Sequence, residues 1–192
     1  VSNWAWDFGD GNTSTAQNPV HTYTSAGSFD ASPTLTTEAG DSTVPMPPTI
    51  QVIPAPDFSA TPLSGPPTLA VSFTDTTNLG GATLNSVLWN FGDGGTSMDA
   101  SPTHNYTTPG TYTVSLTVNT SEGTATETKT DYVAVNPVPT FTASATSGAS
   151  PFTVNFTDTT TLGSVTPTAY AWNFGDGGTS SAQNPSHTYV AA

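Results

Sequence analysis

The 192-residue chain has no cysteine and a single basic residue, Lys129. Without cysteine there are no disulfides, no thiol nucleophile and no thiolate zinc site. One lysine and no arginine leave no basic patch to neutralise phosphates, which argues against nucleic-acid binding. No apolar run approaches the about 18 residues that a membrane-spanning helix needs, so no membrane insertion is expected in this segment. No basic-then-apolar opening marks a signal peptide, and Val1-Ser2-Asn3 reads as the interior of something longer. Charged residues make up 8% of the chain, against about 25% in an ordinary globular protein.

Hydroxyl side chains fill the gap, with 39 Thr and 21 Ser, alongside 17 Gly and 17 Pro. The 14 acidic residues give a net charge of −13, but they are spread thinly and form no acidic tail. The surface must therefore be mainly Thr, Ser, Asn and Gly, soluble through hydroxyls rather than charge. Such a surface is seldom intracellular, so an extracellular or cell-surface setting is expected.

The chain repeats with a strict period of 83 residues. Phe8-Gly9-Asp10-Gly11 recurs as Phe91-Gly92-Asp93-Gly94 and Phe174-Gly175-Asp176-Gly177. Trp6, Trp89 and Trp172 keep the same offset, as do His21, His104 and His187, and Tyr23, Tyr106 and Tyr189. A period this long is one small domain rather than a solenoid turn. Prolines at Pro54 and Pro56, matched by Pro137 and Pro139, place the joints and make short, stiff connections. The domains expected are 1–53, lacking its opening strands; 54–137, complete; and 138–192, lacking its closing strands.

Within each unit the periodicity is two. Leu69, Val71 and Phe73 share one face, and so do Tyr112, Val114, Leu116 and Val118, with Thr on the other. Short strands separated by Gly, Pro and Asn turns predict an all-β sandwich, and no segment has helical period. In the first unit Pro33 falls at the phase of Leu116, and Pro45, Pro47 and Pro48 crowd the last strand. Proline cannot donate to a ladder, so those strands are expected to be edges or irregular.

The aromatic pattern has a direct physical reading. Trp is the large anchor between two sheets, and Phe two residues on shares its face. Gly-Asp-Gly is a tight turn in which Asp bonds nearby amides. His and Tyr lie on the next strand, where their rings can pack and bond to that turn. The string Trp6 to Gly11, followed by Asn18-Pro19, His21, Tyr23, Gly27 and Phe29, resembles the PKD (polycystin-type) domain. So do Trp89 to Gly94 with His104, Tyr106 and Tyr112, and Trp172 to Gly177 with His187 and Tyr189. The resemblance covers the chain in three units. It implies tandem immunoglobulin-like sandwiches, one complete and two partial. It also implies an extracellular setting, in cell-surface proteins, surface layers or accessory modules of secreted hydrolases. Asn90 and Asn173 stand where the family usually has Asp, which weakens a cation-binding reading at that position.

No catalytic constellation stands out, and three copies of every candidate suggest scaffold. The histidines lie a domain length apart and are read as structural, with Trp6, Phe8, Trp89, Phe91, Trp172 and Phe174 as core. Calcium is the alternative for Asp10, Asp75, Asp93, Asp158 and Asp176, because two Asp per unit could meet near one end of a sandwich. Hard cations want several oxygen ligands and the count per unit is short, so turn-bonding Asp is the default and no cofactor is expected. Asn12, Asn105, Asn119 and Asn155 open Asn-x-Ser/Thr sequons, so glycans are candidate partners.

The expected function is a non-catalytic extracellular repeat array, a filament, stalk or surface-layer component that spaces, self-associates or adheres. The alternative is an accessory substrate-binding module of a secreted hydrolase. The partners expected are neighbouring copies or further units of the same chain. The phases of the two partial units duplicate the Trp strand, which suggests a window onto a longer array rather than strands exchanged between chains.

Overall fold

The computed structural model describes residues 3–43 and 49–190. Among these residues every regular element is a β-strand, as the period-two pattern and the density of Thr and Val require. The fold is a tandem of immunoglobulin-like sandwiches, one complete and two partial.

The central repeat forms two sheets. One runs in the order Thr96–Ser97, Leu84–Asn90, Gly110–Thr120, Gly123–Val135, Ser64–Gly65. The other runs Thr103–Tyr106, Leu69–Asp75, Phe58–Thr61. Trp89 lies opposite Leu116 and Val87 opposite Val118, so the apolar positions of both strands line one face. Phe58 and Phe73 from the second sheet reach Trp89 at 5.2 and 5.5 Å between ring centroids, and Phe73 reaches Phe91 at 5.1 Å. These four rings are at most 2% exposed. Each such side chain stabilises the fold by about 1.5–3 kcal/mol through burial. The lone base belongs to the same assembly: Lys129 pairs with Asp57 at 2.8 Å, donates to the Phe58 carbonyl and sits 4.6 Å from the Phe58 ring centre.

The hydroxyl-rich outer faces have structure of their own. Thr117 and Thr126 bond across strands at 2.8 Å, and Thr34 and Thr43, one period earlier, do so at 2.9 Å. Paired Thr side chains suit a pleated, half-wet surface, which accounts for part of the composition.

The first repeat carries the sheet Thr13–Ser14, Asn3–Asp7, Ser32–Thr37, Gly40–Thr43, and a separate pair of Gly27–Phe29 with Ile50–Val52. Four short strands thus stand where the central repeat has the long hairpin Gly110–Thr120 and Gly123–Val135. Of the two expected alternatives, edge or irregular, the strands take the second. Pro33 faces Trp6 in a strand that lies between two others. The pairs described with Gly40–Thr43 run from Thr34 to Thr37, so Pro33, which has no N–H to give, lies outside them. Pro45, Pro47 and Pro48 lie outside the described residues.

In the third repeat, Phe141–Ala143, Phe152–Asp158 and Ser186–Tyr189 form one sheet, and Trp172–Asn173 pairs with Thr179–Ser180. The compact units of the chain do not follow its sequence period. One unit takes the residues up to Ala60 with Phe73–Pro102 and Val114–Lys129. The other takes Thr61–Ser72, Thr103–Thr113 and the residues from Thr130 onward.

Candidate functional site

The polar side chains that recur at every period are gathered in the repeated motif. Trp6 is the penultimate residue of the strand Asn3–Asp7, two residues before Phe8, and the chain then turns through Gly9-Asp10-Gly11. Both glycines adopt left-handed φ, +79° and +89°, and the later copies repeat this. A side chain resists that conformation, so glycine is required on both sides of the Asp. Asp7 Oδ1 accepts from the Gly9 amide at 2.9 Å. Asn90 and Asn173 perform the same service for Gly92 and Gly175 at 2.9 and 3.0 Å. The Asp-to-Asn departure therefore leaves the turn intact, because an amide oxygen accepts as a carboxylate does.

In the first and third turns the central Asp is committed twice. Asp10 Oδ1 accepts from the Asn12 amide at 3.0 Å, and its Oδ2 meets His21 Nε2 at 2.8 Å. Asp176 accepts from the Gly178 amide at 2.9 Å and meets His187 Nε2 at 2.7 Å. Asp93 accepts from the Gly95 amide at 2.9 Å. Burial would raise the Asp10 pKa, but hydrogen bonds from Asn12 and His21 outweigh it and hold the carboxyl at about 2. The His187 hydrogen bond, followed by the Gly178 amide, holds Asp176 below the ordinary carboxylate value.

The histidine rings of the first and third repeats are held on both sides. His21 stacks on Phe8 at 4.1 Å and 7°, and His187 on Phe174 at 4.2 Å and 9°. Tyr23, Tyr106 and Tyr189 each meet their histidine edge-on at 4.7 Å. The Tyr23 hydroxyl donates to the Phe8 carbonyl at 3.0 Å, and Tyr189 to the Phe174 carbonyl at 3.1 Å. One contact has no counterpart in the sequence reading. Each of the three motif Trp indole N–H groups donates to a carbonyl ten residues on, Trp6 to Ala16, Trp89 to Asp99 and Trp172 to Ala182, at 2.8–3.0 Å. The acceptors are backbone carbonyls, so no side-chain chemistry marks them.

The remaining candidate acids bond to groups two residues on. Asp75 Oδ1 accepts from the Thr77 amide at 2.9 Å. Asp158 accepts from the Thr160 hydroxyl at 2.6 Å and its amide at 3.0 Å, and these bonds lower its pKa, the hydroxyl most. Among the described residues no three His, Asp or Glu side chains are grouped to hold a metal ion. The sequon residues Asn12, Asn105, Asn119 and Asn155 are all exposed. The third repeat contains a cavity of about 820 Å³, lined by Phe141, Phe156, Tyr170, Trp172 and Phe174 among others. Phe141 is 59% exposed there, while its central counterpart Phe58 is 1% exposed. The cavity is the open core face of a partial sandwich, with no paired carboxylates or nucleophile–base pair among those rings.

Fold and motif together define an array of β-sandwiches, each stapled at one turn by the same Trp, Phe, Asp, His and Tyr. The chain belongs to the PKD domain family, whose model matches residues 1–52, 51–135 and 134–192. It is similar to the collagenase ColA of Bacillus cereus, 66% identical over 38 residues, which are 20% of this chain and 4% of that protein. It is also similar to a microbial collagenase of Vibrio alginolyticus, 61% identical over 46 residues, 23% of this chain and 6% of that protein. The chain thus spans a small part of the length of these curated relatives. Among solved structures it is similar to the PKD1 domain of the Vibrio cholerae metalloprotease PrtV, with 32% identity over 44% of this chain and 99% of that one, TM-score 0.38. It is similar as well to the PKD1 domain of Vibrio anguillarum Epp, with 35% identity over 44% of this chain and 96% of that one, TM-score 0.38.

Proposed function

We propose that the chain is a non-catalytic extracellular array that spaces and positions whatever it is joined to, each 83-residue period acting as one domain. One observation carries this reading. The motif residues that recur at every period are engaged in holding their own turn, and the rings around them pack on one another. Groups committed in this way are support, not reactive chemistry. The hydroxyl surface and the exposed sequons Asn12, Asn105, Asn119 and Asn155 fit an exported, glycan-bearing array. Among the described residues no helix is long and apolar enough to cross a membrane.

A second reading is favoured by the collagenase matches: an accessory module that holds protein substrate for an attached secreted protease. Co-sedimentation of the intact chain with insoluble collagen separates the two. The spacing role predicts that the chain stays in the supernatant. Saturable retention on the collagen contradicts that role and supports the accessory one.

A further inference from the structure

We infer that successive repeats are locked to one another by a built joint that recurs at the period of the chain. This goes beyond the spacing role and holds for either reading of function. Each joint has a plug and a socket. The plug of the first joint is the turn Leu79-Gly80-Gly81-Ala82, closed by the Ala82 amide on the Leu79 carbonyl at 2.9 Å. The plug of the second is Leu162-Gly163-Ser164-Val165, closed by the Val165 amide on the Leu162 carbonyl at 3.0 Å. The two turns are 83 residues apart, and Gly80 and Gly163 share a left-handed φ, +55° and +57°.

The sockets are 83 residues apart as well. The Gly81 amide donates to the Ala26 carbonyl of the preceding repeat at 2.9 Å. The Ser164 amide donates to the Pro109 carbonyl at 3.2 Å. At both joints the plug glycine lies so close that a side chain has no room. A Cβ on Gly80 would stand 2.7 Å from the Ala26 oxygen, and one on Gly163 would stand 1.9 Å from the Pro109 oxygen. The second residue of each socket is also a glycine. A Cβ on Gly110 would meet the Ser164 hydroxyl oxygen at 2.7 Å.

The first joint has further contacts. The hairpin tip Thr120-Ser121-Glu122-Gly123 lies against the preceding repeat. The Ser28 hydroxyl donates to the Glu122 carboxylate, and Ile53 lies over Gly123, leaving 2.7 Å for a Cβ there. Glu122 is 9% exposed, and its other oxygen accepts from Ser121 at 3.0 Å. The first joint lies wholly within one compact unit and the second wholly within the other, so each stands on its own contacts. A plug at one end and a socket at the other make a head-to-tail interface, the kind that can extend without closing. A flexible tether would need neither a repeated backbone hydrogen bond nor a repeated fit around glycine.

Residue-resolved amide hydrogen exchange on the intact chain tests this. Docked joints predict that the Gly81 and Ser164 amides exchange at least about tenfold slower than their intrinsic rates, independent of protein concentration. Gly110→Ala acts at the socket, where its Cβ would also meet the Tyr112 ring at 3.3 Å, 54 positions from the Ser164 amide and at a residue without left-handed φ. It is expected to return Ser164 towards its intrinsic rate while Gly81 and the core amide of Leu116 stay protected. Intrinsic rates at Gly81 and Ser164 in the unsubstituted chain, with Leu116 protected, overturn the inference. So does protection that grows with protein concentration, which assigns the contact to a second copy. Unchanged Ser164 exchange in Gly110→Ala overturns it for the second joint. If that variant loses Leu116 protection, the unsubstituted chain and Glu122→Ala, read at Gly81, decide instead.

Discussion

Asp10 shows what a single residue does in this fold. Its carboxylate closes the Gly-Asp-Gly turn with one oxygen and fixes His21 with the other, and its pKa of about 2 lies below the ordinary 3.8. A carboxyl whose folded pKa is depressed adds stability that is fully present above the unfolded value and is lost as pH falls through the folded one. The window is therefore roughly pH 4 to pH 2. Asp176 is shifted in the same direction, His187 being the largest cause. Asp10→Asn keeps an acceptor for the turn but removes the charge. The variant is expected to be less stable than the parent at neutral pH and to lose less stability than the parent across that acid window. Urea midpoints measured across the window check this, and two parallel curves would count against the role given to the carboxylate.

At the scale of strands, the difference between complete and partial sandwiches falls on the tryptophans. Trp89 is fully buried, whereas Trp6 and Trp172 are half-buried. All three donate to a carbonyl ten residues on. Trp89→Phe leaves the Asp99 carbonyl without that donor and opens a cavity, so a loss of at least about 2 kcal/mol is expected. Trp6→Phe and Trp172→Phe should cost less, because less packing is removed. Exchange rates of core amides in each repeat read the three effects separately, and equal losses would contradict the burial argument. Most of this core was legible in the sequence. The alternation of Val114, Leu116 and Val118 and the phase of Trp89 and Phe91 point inward by pattern alone. The indole acceptors were not legible, because backbone carbonyls carry no sequence signature. Which of the two alternatives Pro33 would take was not legible for a related reason: its missing N–H matters only where a ladder needs it, and pairing register is not written in composition.

At the scale of the whole molecule, the 83-residue period governs more than the core. The turn, the ring stack and the joint between repeats return at the same phase. The joint was invisible in the sequence because its contacts are an amide, a carbonyl and glycines that any tight turn could contain. The central claim is that the repeated acids are support for the turn and not a ligand site. Scanning calorimetry of the intact chain in calcium and in chelator tests it most directly, since a ligand bound only by the folded state must raise the melting temperature. The account predicts the same melting temperature in both, within error. A rise of several degrees in calcium would contradict it and make Asp10, Asp93 and Asp176, with Asp75 and Asp158, the ligands to examine.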